Sequence, residues 1–190
     1  MIISVGLIAF GLAAANEASI DGVVFYLLHD MIAKALLFIL GGTIIHLAGT
    51  SQLKDMGGLI KRYPAAGWMF FITSLAIAGI PPLSGFAGKL LIIQGGLQKE
   101  HYALTAVSLA SSLIVLYSLI RLFMNAFWGE EKVRPASVKT SNRGMLVPAV
   151  GLFILVLAMG LGSEWVYRFA AEAGETLMNP AIYVDAVLKE

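Results

Sequence analysis

The chain of 190 residues contains no cysteine and only three histidines. The absence of cysteine excludes disulfide bonds, thiolate metal sites and cysteine nucleophiles together. His29, His46 and His101 do not follow the HExxH or HxxxH spacing of a helical metal site. We therefore expect no metal, no other cofactor and no catalytic residue, and we do not expect an enzyme.

Charged residues are also scarce, at 13% of the chain, and the net charge is only +1. Without a basic block or a strong basic excess, the chain is not expected to bind nucleic acid. Hydrophobic residues make up 58% of it and the mean hydropathy is +0.83. Ordinary globular domains contain roughly 45–50% apolar residues. The composition therefore predicts an integral membrane protein.

Apolar runs divide the chain into about five predicted membrane-spanning segments. They are residues 1–15, 25–47, 64–98, 102–128 and 145–161. The first run is too short for a full crossing, and we interpret it as the end of a span. A polar tail follows, with a helix-like stretch up to Met178. We predict an all-α polytopic transmembrane helix bundle at 1–162 and an extracytoplasmic C-terminal tail at 163–190.

The third segment crosses the membrane either once or twice, and the charges of the loops favour one crossing. Residues 49–63 and 129–143 form two basic loops, whereas 16–22 and the tail are acidic. A single crossing by 64–98 places both basic loops in the cytoplasm, as the positive-inside rule prefers. The third span is therefore predicted to be discontinuous, and the C-terminus is expected outside.

The predicted discontinuity lies in a segment with two prolines, two glycines and a lysine among apolar residues. Pro81 and Pro82 are expected to end one helix, Ser84 to cap the next, and Gly85 to belong to the break. Lys89 follows about one turn later, near the middle of the crossing. Irregular backbone and a lysine at this depth require surrounding protein or a water-filled cavity. They indicate an ion or proton path, although Lys89 could instead reach for lipid headgroups.

The second predicted span contributes three further candidate residues for such a path. Asp30 and Lys34 are four residues apart and can pair on one helix face, either as part of a relay or as a structural pair. His29 faces another neighbour and suits a proton relay or a simple hydrogen bond. On the fourth span the small polar residues either line a hydrated path or allow close packing, which we favour. These are Ser108, Ser111, Ser118 and Asn125.

Three motifs carry a resemblance to a known family. They are His29-Asp-Met-Ile-Ala-Lys-Ala-Leu-Leu-Phe38, Lys54-Asp-Met-Gly-Gly-Leu59 and Gly79-Ile-Pro-Pro-Leu-Ser-Gly-Phe-Ala-Gly-Lys89. In this order and spacing they resemble the antiporter-like membrane subunits shared by Mrp-type sodium/proton antiporters and respiratory complex I. The third motif and the tail sequence Asn179-Pro-Ala-Ile-Tyr-Val-Asp-Ala-Val-Leu188 most resemble the D subunits of the Mrp antiporters.

The resemblance implies part of the second half of an inverted-repeat fold, of the kind that transporters use. It implies proton translocation by Lys89, Lys34 and His29, which match ionisable positions of the family, with Asp30 beside them. It also implies partners: other subunits of a hetero-oligomeric membrane antiporter complex, the missing N-terminal part of the same subunit, the lipid bilayer, H⁺ and Na⁺. The expected location is a cell membrane, and specifically a bacterial cytoplasmic membrane.

Three functions are consistent with these features. The leading hypothesis is a subunit of a multi-subunit sodium/proton antiporter, which is a secondary transporter. The alternative is a proton-pumping subunit of complex I or of a membrane-bound hydrogenase, whose redox centres reside in other chains. A packing or assembly subunit without transport is the third, and the buried charges of two adjacent spans disfavour it.

Overall fold

The computed structural model describes residues 2–130, 143–179 and residue 181, and every long element in this part of the chain is an α-helix. The helices are α1 (Ile2–Ala14), α2 (Glu17–Ala48), α3 (Pro64–Ala78), α4 (Ser84–Gln98), α5 (Tyr102–Phe127), α6 (Arg143–Leu161) and α7 (Ser163–Met178). Two short 3₁₀ turns, Leu53–Asp55 and Leu59–Lys61, connect α2 to α3. The predicted all-α bundle is confirmed. Most of the basic loop 129–143 and the last residues of the tail lie outside the described residues.

Two of the described helices are long and apolar enough to cross a membrane alone. They are α2, with 32 residues, and α5, with 26 residues. Residues 146–161 of α6 pass the same test only when joined to α7, and the two are bent by 83°. Helices α1 and α3 are apolar but measure only about 20 Å and 22 Å at 1.5 Å per residue. In the described part of the chain, length and composition therefore identify two spans, or three if the bent pair of α6 and α7 is one span.

Helix α2 begins at Glu17, eight residues before the predicted second span. Asn16 is the N-cap, and its side chain accepts a hydrogen bond of 2.9 Å from the amide of Ser19. In return the Ser19 hydroxyl accepts from the amide of Asn16 at 3.1 Å, which completes a capping box. The box satisfies the amides of Asn16 and Ser19, and it starts the helix early enough to include the polar residues Glu17 and Asp21.

Helices α3 and α4 run end to end along α2, as the predicted discontinuous third element. The break begins at Gly79, whose φ of +87° ends α3, and it contains a cis Pro81-Pro82 bond. At the break, Gly85 of α4 lies against the Ala76 carbonyl of α3 and against His29, near the middle of α2. From there α4 runs towards the beginning of α2, whereas α3 covers its second half.

The larger of two hydrophobic clusters lies on the side of α3 and reaches the break at Ala76 and Ile77. It joins the second half of α2 to α3, the end of α5 and α6, and three aromatic rings stand at its centre. The ring centroid of Phe127 lies 5.9 Å from that of Phe70 and 5.4 Å from that of Phe123. This packing holds α3 firmly, so that the carbonyl groups at its end have fixed positions beside the break.

Helix α7, in the predicted tail, packs back on the first turns of α2. The hydroxyl of Tyr167 donates to Asp21 Oδ2 at 3.4 Å, and Gly174 lies directly against the Asp21 carboxylate. Asp21 is 2% exposed as a result. The described part of the tail is therefore attached to the bundle, while its extracytoplasmic location stays a prediction.

Candidate functional site

Lys89 lies in the second turn of α4 and is 8% exposed. Its Nζ donates three hydrogen bonds: to Ile77 O at 3.0 Å, to Ala78 O at 2.8 Å and to Ser112 Oγ at 3.0 Å. The three N–H groups of an ammonium thus meet three acceptors. The two carbonyl groups belong to the last residues of α3, and the hydroxyl belongs to α5.

The two prolines explain why these carbonyl groups are free to bind a lysine. In a continuous helix the amides of residues 81 and 82 would donate to the carbonyls of Ile77 and Ala78. Both residues are proline, which has no amide hydrogen. The Lys89 ammonium supplies the two missing donors. The break leaves two carbonyl groups without amide donors, and the buried ammonium provides donors for both.

Gly79 and Gly85 have no Cβ atom where one would collide with Lys89 or with the helices next to α4. At Gly79 a Cβ atom would lie 2.8 Å from Lys89 Cδ, and the positive φ disfavours other residues as well. At Gly85 a Cβ atom would collide with the Ala76 carbonyl and lie 2.8 Å from His29 Nε2. The start of α4 can therefore approach α2 and α3 closely only with glycine at this position.

His29 and Ser84 form a buried polar pair at the start of α4. His29 is 1% exposed, and its Nδ1 shares a hydrogen bond of 2.8 Å with Ser84 Oγ, whose direction follows the imidazole tautomer. The prediction that Ser84 caps α4 is wrong. Leu83 occupies the N-cap position without a side-chain hydrogen bond. The Ser84 hydroxyl is directed to α2 instead, where it fixes one nitrogen of the imidazole.

Asp30 and Lys34 form the ion pair that their spacing suggested. Lys34 Nζ lies 2.5 Å from Asp30 Oδ2, and their side chains are 18% and 10% exposed. The charges of this pair and of Lys89 act electrostatically on His29, and Asp30 acts on Lys89. Tyr26 lies between the two helices, with its ring centroid 5.9 Å from Lys89 Nζ. The structure thus brings all four predicted site residues into one cluster.

A cavity of about 270 Å³ opens beside Lys89, between α1 and α5. Its polar lining comes from Ser4, Ser108, Ser111 and Ser112, together with Tyr26 and Lys89. Two serines of the predicted stripe are therefore at the site. Ser118 is exposed and donates to its own helix, and Asn125 lines a different pocket.

Ser112 is the site residue that the sequence analysis missed. It stands four residues after Ser108 and one after Ser111. Helical spacing alone therefore does not tell whether Ser111 or Ser112 contacts Lys89. Only the tertiary contact of α5 with α4 distinguishes them. His46 and His101 are exposed and lie at helix ends. Within the described part of the chain, no group of three or more metal-ligating side chains is present.

The fold and the site define a class: helical membrane proteins in which a broken helix holds a buried lysine. The family model described as "NADH:quinone oxidoreductase/Mrp antiporter, TM" matches residues 2–115. The chain belongs to this family, as its three motifs predicted.

The curated relatives carry more specific names. The chain is 52% identical over 190 residues to a Bacillus subtilis protein that is named as the D subunit of a Na(+)/H(+) antiporter. It is 37% identical, again over 190 residues, to a protein of the same name from Alkalihalophilus pseudofirmus. In both comparisons the whole chain is matched, and it spans 38% of the relative's length.

Solved structures share the arrangement of the helices. A chain of the Mrp complex from Dietzia sp. superposes with a TM-score of 0.88 at 27% identity; the match covers 97% of this chain and 42% of that one. A chain of respiratory complex I from Thermus thermophilus gives a TM-score of 0.77 at 23% identity, with 93% and 38% covered. The second likeness concerns the fold alone. Together they agree with the predicted antiporter-like fold.

Proposed function

We propose that this chain is part of a D-type subunit of an Mrp-type sodium/proton antiporter, in which it carries protons through the second repeat. The names of the two curated relatives support this function. The alternative is a proton-pumping subunit of complex I or of a membrane-bound hydrogenase. The fold shared with a chain of complex I is compatible with this alternative. In either case the chain acts as a transport subunit, and redox chemistry would belong to other chains.

The observation that carries the proposal is the triple hydrogen bond of Lys89 at the helix break. A permanent structural cation could be placed there, but a lysine held away from water is also able to lose its proton. Asp30 and Lys34 supply a pair of ionisable groups on α2, and the charges of that pair and of Lys89 all act on His29. We assign these four side chains to one proton path, in which a proton moves between α2 and Lys89 through side chains and water.

The surroundings of the subunit follow from the same proposal. We place the chain in a cell membrane, and in a bacterial cytoplasmic membrane in particular, with the basic loops inside and the C-terminus outside. Its partners would be the remaining part of its own subunit and the other subunits of a hetero-oligomeric antiporter. Lipid, H⁺ and Na⁺ complete the list. The charges of the loops support the orientation.

The test uses the intact membrane complex that contains this chain, reconstituted in vesicles without any redox substrate. An imposed sodium gradient should drive proton movement, and Lys89→Ala should abolish it at unchanged subunit abundance. Proton movement that requires electron donors, together with flavin or iron–sulfur subunits that copurify, would support the alternative instead. Normal exchange by the alanine variant would indicate a packing role.

A further inference from the structure

The three hydrogen-bond partners of Lys89 are chemically unequal. Ile77 and Ala78 offer backbone carbonyl oxygens, which only accept hydrogen bonds, whereas Ser112 offers a hydroxyl that accepts and donates. The carbonyl groups are part of α3, which the hydrophobic core holds in place. Of the three partners, only the hydroxyl of Ser112 can change its role.

The role must change when the lysine releases its proton. An ammonium donates three hydrogen bonds, but a neutral amine donates two and carries a lone pair that requires a donor. A carbonyl oxygen that faces this lone pair gives repulsion, and a buried polar group without a partner is strongly destabilising. The two carbonyl groups can keep the two remaining N–H donors, and Ser112 can then donate to the lone pair.

The geometry of Ser112 suits such a change. Its hydroxyl donates to the Ser108 carbonyl at 3.2 Å, which is longer than the roughly 2.5–3.0 Å of an ordinary O–H···O bond. The corresponding bonds of its neighbours on α5 are shorter, 2.9 Å for Ser108, 2.8 Å for Ser111 and 2.8 Å for Ser118. Ser112 therefore holds its own helix less tightly, and it also lines the cavity beside Lys89.

We propose that Ser112 is the relay residue through which Lys89 exchanges its proton with the cavity between α1 and α5. In the release step the Nζ–H bond breaks and a new Oγ–H bond forms, while the hydroxyl proton already on Ser112 leaves the Ser108 carbonyl and passes to a water molecule in the cavity. One proton leaves, and no electrons are transferred. The new hydroxyl proton now points at the lone pair of the amine, so the step itself produces the donor that neutral Lys89 needs.

The other groups around Lys89 do not replace Ser112 on the cavity side. The titratable side chains that contact Lys89 or interact with its charge are Tyr26, His29 and Asp30, and Lys34 is paired with Asp30. All four belong to α2. Helices α1 and α3 contain no titratable residue, α6 has only Arg143 at its first position, and α5 contributes no titratable side chain to the cavity lining. The exit through the cavity thus depends on hydroxyl groups and water.

The inference rests on the proposed function, and its test is exchange by the intact complex in vesicles between about pH 6 and pH 10, a range around the ordinary titration of lysine. We expect Ser112→Ala to assemble but to exchange about tenfold more slowly. Its pH profile should move to lower pH by about one unit, because the ammonium loses a charge-assisted hydrogen bond and the amine loses a weaker one. Ser118→Ala is the matched control, since Ser118 belongs to the same helix and donates only to Ile114 O. It should match the unchanged complex.

The isosteric pair Ser112→Thr and Ser112→Val separates the hydroxyl from packing, even if the alanine variant assembles poorly. The threonine variant should restore both rate and pH profile, and the valine variant should not. Equal exchange by the two variants would overturn the role of Ser112. If Lys89→Ala is inactive in that case, the proposed function stands although Ser112 has no role in it. If Lys89→Ala exchanges normally, the proposed function itself has failed.

Discussion

The residues at the break have complementary hydrogen-bonding groups. Pro81 and Pro82 remove two amide donors, the carbonyls of Ile77 and Ala78 are left without helical partners, and Lys89 binds both. A buried charge is destabilising when it is alone, but here it satisfies polar groups that would otherwise be unpaired. Any substitution of Lys89 therefore affects both the charge and the end of α3.

Much of this site was accessible from residue types alone, because ionisable groups are rare in apolar spans. Lys89, Lys34, Asp30 and His29 were singled out in this way, and they form one cluster, although their roles stay predictions. Ser84 and Ser112 were not assigned correctly. A hydroxyl is common in membrane helices, and its partner depends on which helix packs against it.

The ion pair of α2 gives the first prediction. Lys34→Ala should reduce exchange about tenfold or more while the subunit remains in the complex, because it removes an ionisable group of the path and leaves Asp30 without its charge partner. Exchange in vesicles should be measured together with subunit abundance. Lys99→Ala, at an exposed lysine, is the control and should have no effect. Loss of the protein with normal exchange per remaining complex would favour a structural pair.

At the scale of the elements, glycines set the distance between α2 and α4. A Cβ atom at Gly88 would lie 2.8 Å to 2.9 Å from the backbone and Cβ of Tyr26. At Gly95 it would lie 2.5 Å from Ser19 Cβ and 2.9 Å from the Ser19 amide. Backbone atoms of this kind cannot move aside. The close approach of the two helices brings Lys89 within reach of the groups on α2.

Gly88→Ala should therefore separate α4 from α2 next to Lys89. We expect a loss of about 1–3 kcal/mol in the stability of the complex, the usual range for an overpacked core, and a marked fall in exchange. Thermal unfolding of the purified complex measures the first effect. Gly42→Ala serves as control, because a Cβ atom there meets nothing within 4 Å. If the two variants behave alike, the glycine contact does not set the position of α4.

The limits of the elements could be predicted where the chain carries a strong local signal. Proline and glycine marked the break between α3 and α4, and the apolar run marked most of α5. Hydropathy failed at the beginning of α2, since the polar residues before the apolar run belong to the helix. The capping box of Asn16 and Ser19 was the signal that would have extended it.

At the scale of the whole molecule, α3 and α4 together match the length of α2, in the opposite direction. This arrangement agrees with one crossing of the membrane by the broken element. The bend of 83° between α6 and α7 and the contact of α7 with Asp21 could not be predicted. They depend on surfaces from distant parts of the chain, which no local pattern of the tail indicates.

Single cysteines test the orientation, because the chain contains none of its own. We expect cysteines at Ser51 and at Ser137, which lies outside the described residues, to react with an impermeant reagent from the cytoplasm. A cysteine at Ser163, at the start of α7, should react from outside. Labelling of Ser51 and Ser137 from opposite sides would mean that 64–98 crosses twice.

The role of Lys89 as a proton carrier is tested by the exchange activity of Lys89→Arg across the working pH range. Arginine keeps the positive charge and hydrogen-bond donors for the end of α3, but a guanidinium does not release its proton. If Lys89 carries protons, the arginine variant should assemble and fail to exchange them, as should Lys89→Ala. Near-normal exchange by the arginine variant at all pH values would contradict proton transfer by Lys89 and leave Lys89 as a fixed charge.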